Sequence, residues 1–124
     1  MIYTGYYAKL KKYKEFGIEP IAVSGKVPDF YEGLKYPDFA PRYDMFQRWK
    51  IGEITNEGYT KEYKVYLETL DKEEVRADFK PYNEEGKDCV LLCYEKSGDF
   101  CHRHVLADWI EENFGYKVEE YKYE

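Results

Sequence analysis

The sequence has few of the features that mark secreted or membrane proteins. It contains only three cysteines among 124 residues, and an odd number of cysteines does not make a disulfide framework, so we expect reduced thiols. No apolar run approaches the roughly 18 residues of a membrane-spanning helix, and the N-terminus lacks a secretory hydrophobic segment. We therefore expect a soluble, cytoplasmic protein with no membrane partner.

The sequence also has fewer basic than acidic residues. Lysine and arginine number 19 against 25 acidic residues, which gives a formal net charge of -6 and a pI of about 5.1. Because nucleic acids attract basic surfaces, we do not expect a nucleic-acid partner. The chain is long enough for one core but not for two, so we predict a single domain over residues 1–124. The oligomeric state is left open.

One segment, residues 89–109, organises the rest of the chain. Its first six residues, 89–94, are apolar or thiol residues between two polar runs, a pattern typical of a strand that is covered on both faces. We predict that Asp99 then caps a helix that opens on Cys101, and that Gly115 ends it. Five residues form its apolar stripe: His102, Val105, Leu106, Trp109 and Ile110.

The other elements alternate in a way that predicts a layered fold. Strands are predicted over residues 2–6, 20–23 and 117–123, the last charged enough for a sheet edge. Helices are predicted after residues 9, 41 and 55, with a further short one that ends before Pro81. We interpret the Tyr59, Tyr63 and Tyr66 stripe as core packing. Residues 26–40 are predicted to be irregular.

The fold class that follows is a three-layer, Rossmann-like α/β domain. Its sheet is expected to have four mostly parallel strands with helices on both faces. In such sheets, ligands bind beyond the carboxyl ends of the strands, where the strand order reverses. Three segments would meet there. They contain Gly5 and Tyr6, Ser24 and Lys26, and residues 95–103.

Four residues near the helix start carry the candidate chemistry. Cys101 lies where the helix dipole favours a thiolate, although a buried inert thiol remains open. His102 is interpreted as a hydrogen-bonded structural imidazole, with a catalytic base as the alternative. Glu95 would pair with Arg103 or act as an acid or base.

Other site types are disfavoured. His102 and His104 would point about 200° apart on a helix and could not share an ion, so no metal site is predicted. A Cys93–Cys101 redox pair is disfavoured because no Cys-x-x-Cys motif is present. A glycine-rich phosphate loop is absent as well, and no cofactor is expected.

Two short motifs resemble those of a known family. Leu-Cys-Tyr-Glu at residues 92–95 and Cys-His-Arg at residues 101–103 resemble the signature of the domain-of-unknown-function family 488. The resemblance extends to Tyr-Thr-Gly at residues 3–5, to residues 40–41 and 50–55, and to residues 59–63. The resemblance covers nearly the whole chain.

This resemblance implies a three-layer α/β domain with a site at Glu95, Cys101, His102 and Arg103. It implies no particular reaction. The chain departs from the family pattern after the second strand, where many members carry Asp-x-Arg and this sequence has Val-Ser-Gly at residues 23–25. No role of that acid or that arginine can therefore be carried over.

Two classes of function remain. In the first, the domain binds an anionic small molecule, phosphate- or nucleotide-like, at the helix N-terminus, with thiol-dependent catalysis. In the second, it is a non-enzymatic interaction module in which Cys-His-Arg is structural. A cavity walled by Tyr6, Lys26 and Arg103 would favour the first class, and a filled junction would favour the second.

Overall fold

The sheet is entirely parallel. The computed structural model describes residues 1–95 and 100–122, and within them five strands pair in the order β3-β2-β4-β1-β5. They are β1 (Ile2–Tyr6), β2 (Glu19–Ala22), β3 (Leu34–Lys35), β4 (Cys89–Cys93) and β5 (Val118–Glu120). The predicted α/β three-layer fold is confirmed, and the predicted strand count of four is one too low.

Helices cover both faces of this sheet. They are α1 (Leu10–Glu15), α2 (Tyr43–Lys50), α3 (Asn56–Leu67), α4 (Lys72–Glu84) and α5 (His102–Phe114). Residues of α1 pack on one face, while residues of α2, α3, α4 and α5 pack on the other. None of the helices in the described ranges combines the length and the apolar character that crossing a bilayer requires.

The central strand β4 contributes residues to two hydrophobic cores, one on each face of the sheet, because its side chains point alternately to the two faces. Cys89 and Leu91 belong to the core under α5, whereas Val90 and Leu92 belong to the core under α1. All five residues of the strand are buried, as expected for a strand that is covered on both faces. The same alternation directs Cys93, at the carboxyl end, toward the α5 side.

The additional strand lies in the segment predicted to be irregular. Strand β3 pairs with β2, and the backbone N–H of Tyr36 donates to the carbonyl of Ala22 at 2.9 Å. Both of its residues, Leu34 and Lys35, are exposed. A two-residue exposed strand has no hydrophobic period, so the sequence pattern could not predict it.

Helix α4 is longer than predicted, since it continues through Pro81 to Glu84. A proline inside a helix removes one hydrogen bond. Here the last turn is retained because Tyr82 packs against the core beside the buried Phe79, and because the Glu85 N–H donates to the Pro81 carbonyl at 3.1 Å. Tertiary packing therefore outweighs the local signal.

The helix that follows the central strand agrees with its predicted stripe. Helix α5 buries its five predicted apolar-stripe residues, and Gly115 ends it in the left-handed conformation with φ 70°. Cys101 occupies the N-cap position and its side chain makes no capping hydrogen bond. The predicted cap, Asp99, lies outside the described residues.

Gly5 is a packing residue in the middle of β1. A Cβ atom at this position would overlap the hydroxyl of Tyr13 and would lie 3.0 Å from Cγ2 of Val90. The same Tyr13 hydroxyl accepts the backbone N–H of Tyr6 at 3.3 Å. The absence of a side chain thus lets α1 pack closely on the sheet.

We predict that Gly5→Ala lowers the free energy of unfolding by about 1–3 kcal/mol, because the new methyl group overpacks this contact. Gly25→Ala is the matched control, since a Cβ there meets nothing within 4 Å. Urea denaturation of both variants measures the difference, and equal stabilities would contradict the packing role.

Candidate functional site, a cysteine–histidine cluster in a cavity

A cavity of about 650 Å³ opens beyond the carboxyl ends of β2 and β4. These two strands are neighbours in the sheet, so their ends meet at one edge. The remaining walls come from α2, from Tyr59 of α3, and from the first residues of α5. Its volume suits a small molecule, and its position is the one that parallel sheets favour for ligands.

The cavity brings together most of the predicted site residues. Five of them border it: Ser24, Lys26, Glu95, Cys101 and His102. Three others, Gly5, Tyr6 and Arg103, do not border it. Gly5 packs on Tyr13, and the Tyr6 ring lies with its centroid 5.9 Å from the Arg103 guanidinium.

His102 is a buried, neutral imidazole of defined orientation. Its Nε2 lies 2.8 Å from the carbonyl oxygen of Val23, and because a carbonyl can only accept, Nε2 carries the proton. Burial lowers the pKa of His102 to about 4, so Nδ1 is unprotonated at neutral pH. Nδ1 lies 3.8 Å from Sγ of Cys101, with its lone pair available to that sulfur.

Cys101 is bonded to Cys93. The two sulfur atoms, eight residues apart in sequence, form a disulfide that joins the end of β4 to the start of α5. The sequence disfavoured this pair because no Cys-x-x-Cys motif is present, but strand alternation and the position of the start of α5 bring the sulfurs together. Cys89 is the free thiol, and burial raises its pKa well above the usual range.

The same cluster contains a possible set of metal ligands. One donor atom each from Cys93, Cys101 and His102 lies within 4.8 Å of the other two. Two thiolates and one imidazole match the preference of Zn²⁺. His104, which the sequence argument considered, is not part of this set. The set could bind an ion only with both cysteines reduced.

Arg103 is completely buried, with 0% of its surface exposed. Its Nε and Nη2 donate to the two carboxylate oxygens of Glu120 at 3.1 and 2.9 Å. Its Nη1 donates to the backbone carbonyl of Glu95 and, at 3.0 Å, to Sγ of Cys93. The carboxylate paired with Arg103 is therefore that of Glu120, whereas the sequence analysis expected that of Glu95.

Ser24 lies two residues after the end of β2 and is held in place by two hydrogen bonds. Its hydroxyl donates to the Lys26 carbonyl at 2.5 Å, which uses its single proton. The hydroxyl of Tyr7, 2.5 Å away, must then donate to Ser24. Burial raises the pKa of Tyr7 to about 12, so this phenol retains its proton. The segment from Ser24 to Lys26 is consequently fixed at the cavity edge.

Aromatic rings form the opposite wall, and the sequence analysis missed them as site residues. The rings of Trp49 and Phe100 lie 5.5 Å apart, and those of Tyr59 and Phe100 lie 5.4 Å apart. Burial and the nearby Glu95 carboxylate raise the pKa of Tyr59, so it too stays neutral. Tyr59 was assigned to the core and is indeed buried, but one part of it borders the cavity.

Residues 19–114 match a family model described as the active DUF488-N3 subclade. This match covers more than half of the chain. The chain belongs to the DUF488 family. Neither the curated proteins nor the solved structures contain a match to it. The predicted resemblance to family 488 is thus confirmed.

We predict that Arg103→Ala lowers the free energy of unfolding by about 3–5 kcal/mol, because it leaves the Glu120 carboxylate without its buried partner. Arg48→Ala is the control. Arg48 pairs with Glu62 at 2.5 Å, but the side chains of both residues are more than a third exposed, so the loss there should be much smaller than at Arg103. Thermal and urea unfolding compare the two, and similar losses would contradict a structural role for Arg103.

The depressed pKa of His102 predicts a loss of stability in mild acid. Unfolding restores a pKa near 6.5, so the unfolded chain binds the proton first as the pH falls. Between pH 7 and pH 4.5 the free energy of unfolding should drop by about 2 kcal/mol or more.

Two variants test this assignment. His102→Gln should remove most of the loss, whereas His104→Gln should retain most of it, although burial also lowers the pKa of His104. Urea denaturation across this pH range measures the effect. A slope that disappears in His104→Gln and persists in His102→Gln would refute the assignment.

Proposed function

We propose that this domain is a thiol-dependent enzyme that binds a small anionic molecule with an aromatic group. The observation that carries the proposal is the Cys101–His102 pair at a cavity of about 650 Å³. A nucleophile beside a base of fixed tautomer, open to a ligand-sized cavity, is the arrangement expected for covalent catalysis. The word "active" in the description of the matching subclade also supports catalysis.

The catalytic step assigned to this pair needs a reduced Cys101. Its thiol would donate a hydrogen bond to Nδ1 of His102, which would take the proton as the sulfur attacks the substrate. Because Nε2 is held by the Val23 carbonyl, the imidazole need not rotate or change tautomer before it accepts this proton. Burial keeps His102 neutral, which is the form that a base requires.

The ligand class follows from the walls of the cavity. The aromatic rings of Trp49, Tyr59 and Phe100 offer faces for stacking. Among the described residues that border the cavity, Lys26 and Lys50 carry positive charge. The start of α5 adds the positive end of a helix dipole. Together they favour a planar ring that carries a phosphate or carboxylate group, as a nucleotide does.

The alternative, an interaction module in which Cys-His-Arg is structural, draws support from Arg103. This side chain is buried and hydrogen-bonded within the protein, so it cannot also bind a ligand. The structural role of Arg103 is compatible with both functions, however. The cavity beside Cys101 favours the enzyme, because a purely structural motif needs no such opening.

Alkylation of the reduced protein by iodoacetate tests this proposal. We expect Cys101 to react in the native state at neutral pH, and adenosine monophosphate or inorganic phosphate to slow the reaction. Lys26→Ala should weaken that protection, and His102→Gln should slow the alkylation itself. Peptide mass spectrometry assigns the labelled cysteine, and buried Cys89 serves as the internal unreactive control.

The interaction-module alternative predicts a different outcome. Cys101 would then react slowly, like Cys89, until the protein is unfolded, and neither phosphate compound would change the rate. Such a result would replace the enzyme proposal with the module.

A further inference from the structure

We propose that Cys93 is a second catalytic thiol and that the site reduces small anionic disulfides, cycling between a Cys93–Cys101 dithiol and disulfide. This inference rests on the proposed function, because it takes Cys101 as the attacking thiol. It adds the substrate class and a role for Cys93, which the sequence analysis placed in the covered central strand.

The first observation is the position of the two sulfurs. Cys93 ends β4 and Cys101 is the N-cap of α5, and their Sγ atoms are bonded. The fold therefore already holds Cys93 where it can attack Sγ of Cys101. A resolving thiol in this position can displace R–S⁻ from a Cys101–S–R intermediate and close the protein disulfide, which suits a disulfide substrate.

The second observation is the charge beside Cys93. The Nη1 of Arg103 donates to its sulfur at 3.0 Å, and the guanidinium is fixed in place by two bonds to Glu120. A hydrogen bond from a buried cation stabilises a thiolate more than a neutral thiol or a disulfide sulfur. Arg103 is thus a positioning residue that keeps reduced Cys93 ready to attack.

The two cysteines are assisted by different groups. Cys101 has the imidazole of His102 beside it, and Cys93 has the guanidinium of Arg103. The base serves the thiol that must lose a proton during attack, and the cation serves the thiol that must already be a thiolate. Cys89 has neither assistance, and burial keeps it protonated.

The third observation is access. Cys93 and Cys101 are 1% and 3% exposed, and both border the cavity of about 650 Å³. A disulfide within a folded protein could not reach these sulfurs, whereas a small molecule could. The lysines and aromatic rings of the same cavity then favour a disulfide that carries acidic and aromatic groups.

The reaction balances as a thiol–disulfide exchange. Cys101 gives its proton to Nδ1 of His102 and attacks R–S–S–R′, forming a Cys101–S–R mixed disulfide and expelling R′–S⁻, which takes the proton from the imidazolium. The Cys93 thiolate then attacks Sγ of Cys101, forming the Cys93–Cys101 disulfide and expelling R–S⁻. The substrate gains two electrons, and the protein dithiol loses them. Two equivalents of a small thiol then reduce the Cys93–Cys101 disulfide by the same exchange and are themselves oxidised to a disulfide, which completes the cycle.

The probe that fits this site is 5,5′-dithiobis(2-nitrobenzoate), a small disulfide with two aromatic rings and two carboxylates. Each exchange step releases one coloured thiolate. The reduced wild-type protein should release two in succession and retain no adduct, while Cys93→Ser should release one and retain a mixed disulfide on Cys101. Cys101→Ser should react roughly tenfold or more slowly, and Cys89→Ser should behave as the wild type does.

Two further variants separate charge recognition from chemistry. Lys26→Ala should slow the reaction with this probe but not with neutral 4,4′-dithiodipyridine. Arg103→Lys keeps the charge but lacks the guanidinium fork held by Glu120, and it should slow the second release relative to the first. If Arg103 were merely structural, both steps would change equally or not at all.

Three outcomes would overturn the inference. A stable adduct on Cys101 of the wild type, without the second release, would leave Cys101 as the nucleophile but remove the role of Cys93. Reduced protein that contains one zinc ion per chain, and reacts only after chelation, would make the cluster a metal site. Slow reaction of Cys101 until unfolding would defeat the proposed function as well.

Discussion

The structure depends on one buried cation, the guanidinium of Arg103. It spans the carboxyl edge of the sheet, from the Glu120 carboxylate on β5 to the Cys93 sulfur at the end of β4 and the Glu95 carbonyl just after this strand. Thr4 of β1 donates to the same carboxylate at 2.5 Å. A buried charge is tolerated only when it is paired and hydrogen-bonded, so these elements must assume their observed positions together.

This constraint also explains why the reactive groups meet. With β4 held against α5, the alternation of the strand turns Cys93 toward Cys101, and the imidazole of His102 is directed to the Val23 carbonyl at the end of the neighbouring strand. The cavity forms in front of them because two parallel strands end there and α2 supplies an aromatic wall. Adjacent residues of one segment are therefore placed differently: Arg103 organises the edge, whereas Cys101 and His102 border the cavity.

Local sequence patterns predicted the parts of the fold that have a clear hydrophobic pattern or a specific terminating residue. The uninterrupted run of β4, the apolar stripe of α5 and the glycine after it each have a direct physical signal. The exposed two-residue strand β3 has no such signal. Helix α4 extends past Pro81 because Tyr82 packs against the core, although the low helix propensity of proline predicts that the helix ends there. At the site, Cys101, His102 and Glu95 follow a strand and so could be placed at its carboxyl edge. Glu120, Trp49 and Tyr59 could not, because they come from segments distant in sequence.

The sequence by itself determined the layered parallel fold, the family and the strand–turn–helix that contains the candidate site, since all three depend on local composition, period and short motifs. Only the tertiary structure decided the partners. It paired Arg103 with Glu120 and joined Cys93 to Cys101. It also placed Tyr59 at the border of a cavity. The physical reason is that side-chain pairing depends on strand order and register, which bring residues eight or more positions apart into contact and leave no periodic trace in the chain.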